Sequence, residues 1–387
     1  MDISEEIVRK IRGEYVEARY SSVLYYDLNT REGKTIHENQ KEGTLVRVVD
    51  QNRLRAAYVD SVDSLDRIDL AEKREVPAFC PPDPVEYHGK SPQPVELPTE
   101  MVFNVLETFE NVAPANARME SLTVYEHVVT NRGTDVCHGT TKLFIRIFFT
   151  PVQETTLVFS CGSPGQDILK ELERLNQLDL RAVSQQGSTK SGLYDVVLSP
   201  QVTGMLFHEV AHSFEGFCPS FSHVLPVTVS DHPGADRLGG YEFDSEGCRA
   251  SSTTLIDNGE ILGCLTSLLE PGSKSPTGNA RASRSDVEPI PRQSNLEITG
   301  EECCREEELL EMVKDGVYIS QVGESSTFPG GVTYFSKTVS YRIEKGEKTE
   351  FLRNISFGGN LVALIASIEK MGSNQKLEPA VCWKNSQ

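Results

Sequence analysis

One stretch of the 387-residue chain leaves its backbone little choice. After Ser199-Pro200, which suit a helix start, Val202, Met205, Leu206, Val210 and Phe214 recur at helical spacing. The pattern predicts a helix that ends near Glu215-Gly216, with Pro219 just beyond. Inside it lies Phe207-His208-Glu209-Val210-Ala211-His212, a His-Glu-x-x-His motif. Residues four apart on a helix lie about 40° apart around its axis, so His208 and His212 can offer imidazole nitrogens to one metal ion. Glu209 projects from a neighbouring position, where a general base is needed to take a proton from water activated by Zn²⁺. The motif supplies two ligands and a base; a third ligand has to come from elsewhere.

Composition narrows the setting. A formal net charge of -19 argues against direct nucleic-acid binding, which needs clustered Lys and Arg. No run approaches the roughly 18 apolar residues of a membrane span. Met1-Asp-Ile-Ser-Glu-Glu lacks the basic and apolar regions of a signal peptide, which gives a cytoplasmic expectation. The 9 cysteines form no Cys-x-x-Cys pair, and their odd number without an export signal predicts free thiols.

Taken in order, residues 3–13 read as a short helix. The runs 16–26, 34–38, 44–50 and 54–59, rich in β-branched and aromatic residues, read as an antiparallel sheet. The proline-dense stretch 76–94 reads as an extended connector. A helix over 99–112 follows, then strands over 117–131, 134–139, 140–150 and 155–160, then an amphipathic helix over 164–182. The polar run 184–192 has the composition of a linker and separates two domains, 1–186 and 190–387. Beyond the motif helix, 241–247, 252–256 and 261–266 read as strands, the last two joined by an Asn258-Gly259 hairpin turn. A helix over 301–316, strands over 317–322, 331–343 and 348–355, and a helix over 359–371 complete the pattern.

Several segments in one order resemble the TldD/PmbA family of peptidases, in its TldD-type, metal-carrying form. They are His208-Glu209 to His212 with Phe214-Glu215-Gly216; Phe243-Asp244-Ser245-Glu246-Gly247; Thr254 to Gly263; Thr277-Gly278-Asn279 with Arg281; Pro291-Arg292 to Asn295; Val339 to Gly346; and Cys382 with Lys384 and Gln387. The match is strong over 190–387 and looser before it. The resemblance implies an α+β protein of two domains: an N-terminal α/β sheet domain and a β-rich C-terminal domain carrying the zinc-binding helix, with the active site in a cleft. It also implies a zinc site of His208, His212 and the late Cys382, hydrolysis of unfolded or small peptides, and assembly as a homodimer or with a sister subunit. Two departures stand out. The family usually has three residues between the Glu and the second His, where Glu209 and His212 are separated by two, and its chains usually continue past the Cys382 segment, where this sequence ends at Gln387.

Other groups have candidate roles around the motif. Glu246, or Glu242, is the alternative third ligand, and Glu215, like Glu246, is a candidate either to replace a ligand or to orient a histidine. Arg281 and Arg292 could neutralise a substrate carboxylate or an oxyanion, and His223 and His232 could orient substrate. The rival to an enzyme is a subunit that keeps the fold and binds peptide without catalysis.

Overall fold

The computed structural model describes residues 3–31, 36–60, 68–76, 79–152, 155–177, 187–219, 227–234, 236–269, 275–301, 303–328, 331–352, 355–377 and 379. The boundary region 178–186 and the segment that holds Cys382 lie outside the described residues, as does His223.

A short helix, α1 (Ile3–Lys10), leads into strands β1 (Tyr15–Asn29), β2 (Ile36–Asp50), β3 (Arg53–Val59), β4 (Ala71–Glu75) and β5 (Glu86–His88). Helix α2 (Thr99–Glu110) precedes β6 (Ala115–Thr130), β7 (Asp135–Val152) and β8 (Thr155–Ser163), and α3 (Ile168–Asn176) follows. Among the described residues these strands make one 8-stranded sheet, ordered β4-β3-β2-β1-β6-β7-β5, with β8 also on β7. Its ladders are antiparallel except β5 on β7. Residues 134–139 and 140–150, read as two strands, run on as the single β7, because Thr140-Thr141 carry no turn signal and stay paired with β6.

One face of this sheet is packed by helices. Val102, Val105, Leu106 and Phe109 of α2 lie three or four residues apart and are buried against Leu143, Ile145, Ile147 and Phe149 of β7. Each such buried side chain is worth about 1.5–3 kcal/mol. Leu172 and Leu175 of α3, whose N-cap Asp167 accepts a hydrogen bond from the Lys170 N–H, join the same core. The other face carries Val124, Lys142 and Phe144 toward a cleft.

After β9 (Asp195–Leu198) comes α4 (Pro200–Ala211), the motif helix, then β10 (Val227–Asp231), β11 (Thr253–Asp257) and β12 (Glu260–Ile261). The short pair β13 (Ala280–Arg281) and β14 (Ile290–Pro291) precedes β15 (Leu296–Gly300), β16 (Cys303–Cys304) and α5 (Glu306–Glu311). The chain goes on through β17 (Asp315–Phe328), β18 (Val332–Glu344), β19 (Glu347–Leu352), β20 (Phe357–Asn360), α6 (Leu361–Ala366) and β21 (Met371–Gly372), which pairs with β16. The larger sheets here are ordered β12-β11-β10-β15 and β19-β18-β17-β9, the latter with β20 on β18. Val202, Leu206, Phe207 and Val210 of α4 are packed between them in a second core with Val227, Val229, Val317 and Ile319. The protein is thus of the α+β class, with strands predominating. No described helix is long and apolar enough to cross a membrane.

Several expectations are corrected. Residues 241–247 are a turn, because the Asp244 carboxylate accepts three backbone N–H groups (Glu246, Cys248 and Ala280) and wraps the chain around itself, with Gly247 at φ +76°. The thiols are not all free: Cys218 and Cys264 form a disulfide, with Cα atoms 5.1 Å apart. The helices read over 301–316 and 359–371 form only as α5 and α6, shorter because β16 and β17, then β20 and β21, claim their ends.

Candidate metal centre

Helix α4 is fixed before it reaches the histidines. Ser199 caps it, accepting from the Val202 N–H at 3.3 Å while its own hydroxyl donates to the Ser320 carbonyl at 2.7 Å. Gln201 bonds Val322 in both directions, accepting its N–H at 2.9 Å and donating to its carbonyl at 3.0 Å. The start of α4 is therefore tied to β17.

His208 and His212 face each other edge-on, with ring centroids 4.8 Å apart. That separation suits two imidazole nitrogens each about 2.0–2.1 Å from one zinc ion. His208 lines the cleft. His212 is the C-cap of α4 and opens a 3-10 turn, His212–Phe214, so the second histidine stands where the regular helix ends. Gly216, at φ +89°, then turns the chain, and its N–H donates to the Leu265 carbonyl at 2.8 Å.

Glu215 supports this pair. Its side chain is 1% exposed; Oε2 lies 3.1 Å from His212 Nδ1, and Oε1 lies 3.6 Å from Arg292 Nε and accepts the Gln293 N–H at 3.3 Å. A buried carboxylate this close to Nδ1 electrostatically favours the proton on that nitrogen and leaves Nε2 as the acceptor, the arrangement expected behind a metal-ligating histidine. Gln293 also donates through Nε2 to the His208 carbonyl at 3.1 Å, so one residue braces both histidines. On these grounds the donor set fits a zinc-class ion.

Glu209 is placed differently. It is 7% exposed, and its carboxylate accepts from the Ser325 hydroxyl at 2.6 Å and from the Thr327 hydroxyl, both on β17. Each carboxylate oxygen has two lone pairs, so these bonds leave acceptor capacity for a water proton.

Glu246 is fully buried, with one oxygen 2.8 Å from Arg47 Nη2 and the other accepting the Leu268 N–H at 2.8 Å. Arg47 also makes a bidentate pair with Glu17, so Glu246 belongs to an ion network that ties the first sheet to the second half of the chain. Burial raises the pKa of both Glu246 and Asp244. Glu242 takes the Tyr87 hydroxyl. Among the described residues no third His, Cys, Asp or Glu joins His208 and His212 in a ligand group. Arg281 lies over the Tyr241 ring and donates to the Gln293 carbonyl, and His232 bonds Ser252 at 2.8 Å.

The cleft beside His208 has a volume of about 2140 Å³ and is walled by Val124 and Lys142 of the first sheet, Arg281 and Arg292, and two sheet edges, β9 and β15. Sequence reasoning missed Lys142, which no local pattern marks, and did not single out Gln293 within the 291–295 segment. Lys142 is held down to a pKa of about 7, first by burial and then by Arg281.

Residues 224–384 match the model of the PmbA/TldA metallopeptidase C-terminal domain. The chain is 31% identical to a metalloprotease of Methanothermobacter thermautotrophicus over 59% of this chain and 55% of that protein. It is 27% identical to a zinc metalloprotease TldD homolog of Saccharolobus solfataricus over 57% of this chain and 54% of that one. The chain thus spans about half the length of the relatives it matches. In fold it is similar to TldE from Thermococcus kodakarensis, with a TM-score of 0.76 over 98% of this chain and 96% of that one, at 16% identity.

Proposed function

Because this chain belongs to the PmbA/TldD family, we propose that it is a zinc-dependent peptidase acting on unfolded or small peptides. The observation that carries this reading is the His208–His212 pair with the buried Glu215 carboxylate behind His212 Nδ1. His208, His212 and Cys382 would hold the ion, three protein ligands leaving one position open. When bound, zinc would polarise the scissile carbonyl and acidify the attacking water.

The chain's own residues do the rest. Glu209, anchored through Ser325 and Thr327, takes the water proton at a carboxylate oxygen and delivers it to the leaving amine nitrogen. The edges of β9 and β15 present backbone groups to an extended peptide, which adds to the sheet as a further strand. Two domains, 1–186 and 190–387, enclose the cleft, and the working unit is a dimer, with itself or a sister subunit, in the cytoplasm.

A second reading has its own support. Both Glu209 oxygens are engaged by β17 hydroxyls, as they would be in a subunit that binds peptide without hydrolysing it. Zinc content and hydrolysis of an unfolded peptide, measured on wild type, His208→Ala and Cys382→Ser, separate the two. The peptidase reading requires wild type to hydrolyse and each variant to lose one equivalent of zinc together with activity. Wild-type zinc content in His208→Ala sinks it, and zinc binding without hydrolysis favours the peptide-binding subunit.

A further inference from the structure

A second group of metal-ligand side chains lies on the first sheet, away from the motif helix. His88 of β5 and His127 of β6 are the two neighbours in register with Cys137 of β7. Asp135 stands two residues before Cys137, so it shares the same face of β7. His138, Lys142 and Phe144, at the other parity, line the cleft. The group therefore occupies the opposite face of the sheet from the cleft.

Its spacing is that of ligands. His88, Asp135 and Cys137 each place a ligand atom within 4.8 Å of the others. His88 Nε2 and Asp135 Oδ2 are 3.7 Å apart, too far for a hydrogen bond and close to the roughly 3.3–3.5 Å between two ligand atoms of one tetrahedral zinc ion. The other carboxylate oxygen, Oδ1, is held by His127 Nε2 at 2.8 Å. His127 is 4% exposed, so it orients the carboxylate from within the sheet. His88 is half-exposed, which leaves a path for an ion and room for a water as a further ligand.

We propose that His88, Asp135 and Cys137 bind a divalent zinc-class cation, with His127 as the positioning residue behind Asp135. One nitrogen, one oxygen and one sulfur donor suit Zn²⁺ rather than Mg²⁺ or Ca²⁺, which take oxygen. On binding, Cys137 Sγ gives its proton to solvent and coordinates as the thiolate. The ion clamps β5, a three-residue strand at the sheet edge, onto β7. On the cleft side of that strand, Tyr87 stacks on Phe243 at 4.7 Å and donates to Glu242. Holding His88 on one face thus fixes a wall of the cleft on the other.

The test uses the full chain loaded with Zn²⁺ alone and read by elemental analysis, with Co²⁺ substitution to detect thiolate charge-transfer absorption. A His208→Ala/His212→Ala variant should still bind one equivalent of zinc. Adding Cys137→Ser or His88→Ala to it should abolish that equivalent, and His127→Phe should weaken it by about 10–100-fold. His88 is exposed on an edge strand, so its substitution spares the core and guards against misfolding as the cause. Hydrogen exchange over 86–92 should quicken when zinc is withdrawn. No zinc in the His208→Ala/His212→Ala variant, or full retention after His88→Ala, overturns the proposal. Should the motif helix hold no metal, wild type would still bind the one equivalent that Cys137→Ser removes.

Discussion

The motif helix and the edge of the first sheet both gather histidines, and they do so by opposite routes. His208 and His212 meet because α4 brings every fourth residue round to one side, a property of a dozen residues. His88, Asp135 and Cys137 meet because β5 pairs in one register with β7 across about fifty residues of chain. A one-residue slip of β5 would send His88 to the other face and bring Tyr87 or Gly89 opposite Cys137. The first arrangement belongs to a local sequence and the second to a fold.

That contrast can be broken most severely at the helix. His208→Ala or His212→Ala should reduce peptide hydrolysis to background and remove one equivalent of zinc while leaving the sheet-borne equivalent, as elemental analysis of both variants would register. Glu209→Gln should lower kcat by about 10²–10⁴-fold with zinc content unchanged, because it removes the base and not a ligand. Steady-state kinetics beside metal analysis checks that split. Glu215→Gln should weaken zinc at the helix by about 10–100-fold, with activity restored in excess zinc, as competition against a chelator would reveal.

The smallest effect concerns pH and lies farther along β7. Lys142 has its pKa lowered from 10.5 to about 7 by burial and by Arg281, so the folded protein carries it neutral at a pH where the unfolded chain still binds the proton. Stability from this residue therefore rises as pH climbs from about 7 toward about 10.5, and that gain is absent once pH falls below the folded value. Lys142→Met should flatten the rise, read from urea unfolding at about pH 7 and about pH 10. An unchanged slope would place the lysine in water.

What could be read from the sequence divides along the same line. Helix α4 was legible because its cap, its apolar spacing and its histidines all lie within one window, and Glu215, three residues beyond His212, fell in reach of the same argument. Strands β1, β3, β6 and β8 were visible through their β-branched and aromatic runs, whereas the runs 34–38 and 44–50, read as two strands, are joined in the single β2. The turn at 241–247 was not, since its alternating residues imitate a strand and only the Asp244 side chain reveals that three backbone N–H groups converge on it. The Cys218–Cys264 bond and the group at Cys137 stayed hidden for a common reason: each joins residues that become neighbours only after the sheets have formed. Asp-x-Cys on a strand beside a histidine in a proline-dense connector is a faint signal, and only the register gives it meaning.

The double tether between α4 and β17 makes the strand a ruler for the helix. From Gln201 to Glu209 the helix advances about 12 Å, and from Val322 to Ser325 the strand advances about 10 Å, a difference that the long Gln201 and Glu209 side chains can span. Single substitutions leave both gauges intact. Inserting one residue between Val322 and Ser325 would instead turn the Ser325 hydroxyl to the far side of the sheet and strand the Glu209 carboxylate without it. This segment should therefore accept many changes of letter and almost no change of length.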